Sequence, residues 1–135
     1  MIGRWMGYYI VEKMKEASID ALIPIPISPT KKKKRKYNQA QLICEGIAFI
    51  TGLPILENVL VKPYESASQT HKDRIRRMEA IGQSYILQHE DTIKNKHILL
   101  VDDVLTTGAT IEAACTALSS AEYKNLSVFT ATYTI

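Results

Sequence analysis

The chain has 135 residues, 46% hydrophobic and 23% charged, with two cysteines and six glycines. That composition excludes disordered, collagen-like and disulfide-stapled classes, and a chain of this length buries roughly two-thirds of its surface around one core. Seventeen basic residues against fourteen acidic give +3, yet six of the basic ones form the run Lys31 to Lys36, so the remaining 129 residues sum to 11 − 14 = −3. Positive charge is local, and an anionic partner would meet that one segment. The longest clean apolar run, Ala21 to Ile27, holds two prolines and falls far short of the roughly 18 residues that span a bilayer. Glu12, Lys13, Lys15 and Glu16 interrupt the apolar start too early for an export signal. The expectation is a single domain over residues 1–135, cytoplasmic, with no membrane partner.

In chain order, Trp5, Met6, Tyr9, Ile10, Met14 and Ala17 recur at helical spacing and predict an amphipathic helix whose stripe packs. Asp20 to Pro29 reads as a buried strand that Pro24 and Pro26, lacking donors, force out of the ladder early. The strand ends in a loop carrying Lys31 to Lys36. Leu42, Ile43, Gly46, Ile47 and Ile50 then mark a helix that Gly52 and Pro54 close. Ile55 to Val61 reads as a short strand, Lys62 to Met78 as a mobile loop poor in apolar residues, and Tyr85 to Leu87 as another strand. His97 to Val101 is a continuous apolar run, the mark of a strand buried on both faces, ended by Asp102 and Asp103. Ile111, Ala114, Cys115, Leu118 and Ala121 predict a helix, and Leu126 to Tyr133 a final strand. This alternation predicts an α/β fold, a mostly parallel sheet flanked by helices with ligands beyond the strand C-termini.

The segment Val101 to Thr110 joins a buried strand to a helix, so its amides face outward at a positive helix end, where anions are stabilised. Gly108 permits close approach of a ligand, and Thr106, Thr107 and Thr110 bring hydroxyl donors. Asp102 and Asp103 would repel phosphate unless their own partners are donors or a cation; sugar hydroxyls and Mg²⁺ both qualify. The pattern calls for a molecule with a phosphate at one end and a metal-associated vicinal diol at the other. The plainer alternative is turn capping by the aspartates and threonines, but ten ordered positions at one junction exceed what capping requires. The glycines form neither G-x-G-x-x-G nor G-x-x-x-x-G-K, and G-x-S-x-G and H-E-x-x-H are absent. Cys44 and Cys115 lie too far apart for a clustered zinc site and read as buried thiols. His71, His89 and His97 occupy unrelated contexts and read as structural or surface residues.

Val101 to Thr110 resembles the phosphoribosyl-pyrophosphate binding motif of type I phosphoribosyltransferases. Ile23-Pro-Ile-Pro-Ile27, Lys36-Tyr-Asn-Gln-Ala40 and Gln69-Thr70 with Arg74 and Arg77 extend the resemblance, from about Asp20 to Tyr133, to the ComF family of competence proteins. It implies a Rossmann-like type I phosphoribosyltransferase fold, with Asp102 and Asp103 as catalytic residues on the ribose hydroxyls and on a ribose-bound Mg²⁺. It assigns Leu105, Thr106, Thr107, Gly108, Ala109 and Thr110 to the 5′-phosphate. Ser28, Lys31, Lys32, Lys33 and Arg35 fall in the pyrophosphate loop, and Gln69, Arg74 and Arg77 in a mobile loop over the site. The implied ligand is phosphoribosyl pyrophosphate or a related ribose phosphate, the cofactor Mg²⁺, and the reaction transfer to a nitrogen acceptor, for which no general base is identifiable. The alternative is a non-catalytic ligand-binding or single-stranded-DNA-binding component of the transformation machinery, partnered by competence proteins. For DNA the run Lys31 to Lys36 would supply phosphate contacts, with only Tyr37 beside it as a stacking ring. The family's N-terminal four-cysteine zinc module has no counterpart, since no cysteine precedes Cys44, and the Gln69 region lacks the acidic residue and asparagine expected near Arg77.

Overall fold

The computed structural model of the protein describes residues 1–63 and 85–134. Its centre is a parallel sheet in the order β1 (Ala21–Pro24), β4 (His97–Leu105), β5 (Asn125–Tyr133). On the free side of β1, Ile55 bridges Leu22 in parallel, with Leu22 N–H donating to Pro54 O and Leu56 N–H to Leu22 O. A separate antiparallel pair, β2 (Leu60–Val61) with β3 (Ile86–Leu87), lies beyond. The parallel sheet is covered on both faces, as a continuous apolar strand demands. Leu22, Leu99 and Val101 pack on α1 (Ile2–Lys13) and α3 (Gln39–Thr51), while Ile23, Ile98 and Leu100 pack on α4 (Ala109–Leu118) and the β2–β3 pair.

Helix α1 forms where the apolar spacing predicts, but its packed stripe differs. The buried face is Gly3, Met6, Gly7 and Ile10, and Trp5, Tyr8 and Tyr9 are exposed. Glycines decide this, because α1 crosses α3 with the two backbones touching. A Cβ on Gly46 would lie 2.7 Å from Gly3 Cα, and one on Gly7 would lie 2.8 Å from Ile50 Cβ. Only a helix face without side chains at those points admits the crossing, so the bulky-residue stripe is right for Met6, Ile10 and Met14 and wrong for Trp5 and Tyr9.

The basic segment is also different from its expectation. It is a short helix, α2 (Pro29–Arg35), in place of a loop. Pro29 occupies the first helical position, where its missing N–H costs nothing, and lysine and arginine are good helix formers. Lys36, at φ 63°, ends it. Helix α3 then begins at Asn38, whose Oδ1 accepts from Ala40 N–H at 3.0 Å, and closes at Gly52 with φ 74°. At the opposite end of the sheet, buried His97 reads as a structural residue: its ring lies 2.6 Å from Ala17 O and 2.7 Å from Ser127 Oγ. Cys44 is buried and Cys115 half-buried, both as free thiols.

Candidate phosphate-binding site

Strand β4 delivers the acidic pair. It runs through Asp102 and Asp103 to Leu105 and does not stop at them, because β5 is equally long and holds Asp102 opposite Thr130 and Leu105 opposite Tyr133. The aspartates are thus the upper rungs of the central strand, at the C-terminal end where ligands of such sheets bind. Asp102 is 8% exposed, continuing the face of Ile98 and Leu100; Asp103 is half-buried. Each carboxylate accepts from the next residue's amide, Asp102 Oδ1 from Asp103 N–H at 2.8 Å and Asp103 Oδ1 from Val104 N–H at 2.9 Å. Those bonds fix both side chains and leave the second oxygen of each to other donors.

Burial pushes the Asp102 carboxyl up to about 6. The Asp103 amide lowers it, while a side-chain hydrogen bond with Asp103 and the charge of that neighbouring acid raise it further. Buried Tyr85, just before β3, feels the same acid: burial, then the Asp102 charge, push its phenol up to about 12. Lys62 stands over the Tyr85 ring, 5.5 Å from its centroid. Among the described residues no salt bridge reaches either aspartate. A buried acid held close to a second one, with no cation among the described residues paired to it, is a perturbation characteristic of functional sites.

Beyond Leu105 the chain turns through Thr106 and Thr107, both exposed, to Gly108, which caps α4 at φ 83° with no side-chain bond. Thr107 Oγ1 accepts from Ala109 N–H at 3.3 Å, and the helix proper starts with Glu112 N–H on Gly108 O at 2.9 Å. First-turn amides have no intrahelical acceptor, so those of Thr110 and Ile111 point outward with the helix dipole behind them. A Cβ on Gly108 would meet nothing within 4 Å. Its need for glycine is the left-handed φ, together with the close approach that a bare backbone offers.

The structure places the other predicted site residues as follows. Ser28 is buried at the start of α2, where its carbonyl accepts from Lys32 N–H at 2.9 Å. Lys32, Lys33 and Arg35 are exposed on that helix, while the Lys31 side chain, Gln69, Arg74 and Arg77 lie outside the described residues. The segment leading to Ser28 adjoins the acidic pair, since Ile25 N–H donates to Val101 O at 2.9 Å. Asn38 anchors that segment from the far side, donating from Nδ2 to Ile25 O at 3.0 Å while capping α3. The asparagine of the Tyr-Asn-Gln motif therefore has a physical role that the sequence did not reveal, as does Tyr85, whose only sequence signal is its place before a short strand. Among the described residues no three His, Cys, Asp or Glu side chains form a metal cage. The two carboxylates would fit Mg²⁺ in its usual manner, one or two acids with the remaining ligands from phosphate and water.

A parallel sheet covered on both faces, with a glycine-capped helix N-terminus following a carboxylate pair on its central strand, is the arrangement of a phosphoribosyltransferase-type domain. The family model described as "Phosphoribosyl transferase domain" matches residues 52–133. "Competence protein ComFC" of Streptococcus pneumoniae is 30% identical over 129 residues, covering 96% of this chain and 55% of that protein. "Bifunctional protein PyrR" of Ligilactobacillus salivarius is 36% identical over 116 residues, covering 84% of this chain and 57% of that one. Among solved structures, the purine phosphoribosyltransferase from Pyrococcus horikoshii superposes with a TM-score of 0.55 and 15% identity, covering 95% of this chain and 78% of that one. The chain belongs to the ComF family, with its type I phosphoribosyltransferase domain. It spans about half the length of the curated relatives it matches. Among the described residues no helix is long and apolar enough to cross a membrane.

Proposed function

We propose that this domain binds phosphoribosyl pyrophosphate or a related ribose phosphate together with Mg²⁺, and transfers the phosphoribosyl group to a nitrogen acceptor in a protein of DNA uptake. The observation that carries this reading is the buried Asp102 beside Asp103, without a salt bridge among the described residues, a few residues before an outward-facing helix N-terminus. A ribose phosphate answers both features, because its hydroxyls donate to the free carboxylate oxygens and its phosphate accepts from the amides and hydroxyls of Thr106 to Thr110. The turn holds the 5′-phosphate, the carboxylates orient the ring, and α2 presents Lys32, Lys33 and Arg35 to a leaving pyrophosphate. Mg²⁺, when bound, neutralises that pyrophosphate. The protein's part is positioning and electrostatics.

The test is thermal stabilisation by phosphoribosyl pyrophosphate with Mg²⁺, followed by pyrophosphate release over a panel of nitrogenous bases. At one hundred times its dissociation constant the ligand should stabilise the protein by about 2.7 kcal/mol. Asp102→Asn with Asp103→Asn should abolish the shift; unchanged binding in that double variant would refute the ribose assignment. Stabilisation without release would mark a binding module in place of an enzyme.

The exposed cations of α2, with the exposed ring of Tyr37 directly after it, favour one second reading, contact with single-stranded DNA. Six neutralised phosphates would give a slope near −4 in log affinity against log salt. Neutralising Lys31 to Lys36 should flatten that slope, and a slope left unchanged would count against phosphate contacts.

A further inference from the structure

On the α3 side of the sheet, the stretch that follows β1, the first turns of α3 and the segment after Leu56 border a cavity of about 270 Å³. Its walls come from residues 24–58, and neither Asp102 nor Asp103 lines it. Side chains alternate along a strand, so Pro24 shares the α3-facing side with Leu22, whereas Asp102 continues the opposite side with Ile98 and Leu100. Part of the lining is apolar, from Pro24, Pro26, Ile27 and Leu42. The rest is polar and mostly acidic. Gln41 Nε2 donates to Glu57 Oε1 at 2.6 Å, which holds the two side chains side by side and leaves Gln41 Oε1 and the second Glu57 oxygen as neighbouring acceptors. Glu45 stands one helical turn beyond Gln41, and among the described residues no cation pairs with it or with Glu57. Both carboxylates act on one point, since burial and then the charges of Glu45 and Glu57 push the buried Cys44 thiol up to about 12. Lys32 is the one basic residue of the lining, and the exposed ring of Tyr37 completes it.

We propose that this cavity is a binding site for a small alkylguanidinium cation, separate from the acidic pair of β4. The inference does not rest on the ribose phosphate reading. Two carboxylates outnumber one ammonium, so the sign of the lining disfavours an anion. A guanidinium is planar, presents N–H donors in a fixed fork that matches paired oxygen acceptors, and stacks on aromatic faces. Gln41 and Glu57 answer the fork, the Tyr37 ring answers the flat face, and the prolines with Ile27 and Leu42 answer an alkyl chain. A metal ion would leave the apolar half of the lining unused, and a compact ammonium, strongly hydrated, would use neither the ring nor the paired acceptors. Cavities for drug-sized molecules hold roughly 300–1,000 Å³, so this one takes a smaller compound.

Butylguanidinium is the probe, with butylamine and neutral butylurea as controls that carry the same chain. Titrations of the full chain would be followed by calorimetry and by amide NMR shifts. The expected result is saturable binding with a dissociation constant on the order of 0.1–1 mM, as a ligand of so few atoms gives. Shifts should concentrate at Gln41, Glu45, Glu57 and Asn58, with butylamine several-fold weaker and butylurea at least tenfold weaker. Glu57→Gln should weaken butylguanidinium at least tenfold; if that variant does not fold, Glu45→Gln, at an exposed position of α3, should weaken it several-fold. Asp102→Asn with Asp103→Asn should bind the probe as the parent does. Absence of saturation below about 10 mM, far beyond the expected constant, would overturn the proposal. So would equal binding of butylurea, binding unchanged in the folded glutamine variants, or binding lost in the double asparagine variant.

Discussion

Replacing Asp102 by asparagine should make the protein more stable at neutral pH while weakening binding of the proposed ribose phosphate. Burial raises this carboxyl from 3.8 to about 6, and at 1.36 kcal/mol for each pH unit the native state carries up to about 3 kcal/mol against the ionised form. Solvent reaching the site and sharing of the titration with Asp103 reduce that to about 1–2 kcal/mol. The sign follows from linkage. Below pH 4 the acid is protonated both folded and unfolded, so it costs nothing. As pH rises from 4 to 6 the unfolded chain ionises first, and native stability falls; above 6 the loss is constant. Asparagine has nearly the same shape, keeps the acceptor for Asp103 N–H, and never ionises. Melting curves of both proteins at pH 4, 6 and 8 should therefore coincide at the acid end and separate by about 3–8 °C in favour of the variant at pH 8. A difference that does not vary with pH, or a variant less stable than the parent at pH 8, would refute the assignment of Asp102 as an acid raised by burial.

Gly46→Ala should cost about 1–2 kcal/mol, read as a lower urea midpoint, because overpacking of about 1–3 kcal/mol outweighs alanine's helix preference of about 1. The new methyl would stand 2.7 Å from Gly3 Cα and 2.8 Å from Arg4 N, both backbone atoms that no rotamer change can clear; an unchanged midpoint would contradict the crossing. Asn38→Ala removes a helix cap and the donor to Ile25 O together, for a loss of about 1–2 kcal/mol, of which Asn38→Asp should restore the capping part alone. Gly108→Val meets no steric neighbour but forces a branched residue to a left-handed φ, costing about 1–2 kcal/mol. Calorimetric titration with phosphoribosyl pyrophosphate should show affinity lost in the valine variant and largely kept in Gly108→Asn, since asparagine tolerates that conformation.

The layout of the sheet was legible because each long element announces itself locally. His97 to Val101 is apolar without interruption, as a strand covered on both faces must be, and Gly52 with Pro54 closes α3 where the chain requires it. The strand-to-helix junction from Val101 to Thr110 was legible for a similar reason, being ten consecutive residues whose conformation needs no distant partner. What was missed depends on contacts between distant segments. The close crossing of α1 is set by Gly3 meeting Gly46 and Gly7 meeting Ile50, and no count of bulky residues contains that information. Six consecutive cations suggested a solvated loop, whereas Pro29 and the straight side chains that follow favour a helix. The length of β4 past Asp103 is imposed by β5, a partner that begins more than twenty residues later. Tyr85 comes close to Asp102 only through the tertiary fold, so its share in the site had no local sign.

The position of the acidic pair explains how a domain of ordinary stability tolerates it. A net stability of about 5–15 kcal/mol leaves little room for a carboxylate held against its solvation. Asp102 continues the rungs of Ile98 and Leu100 on the element with the most fully buried side chains, so the packing that offsets the acid and the backbone that aims it are the same strand. On a loop the acid would relax toward solvent and lose its raised titration along with its orientation. Here one oxygen of each aspartate is tied to the following amide, and that tie costs no mobility that a ligand would need. The remaining oxygens stay in place before anything binds. Under the proposed function, a ribose donating to them would meet acceptors already aimed, so little of its binding energy would go into ordering the protein.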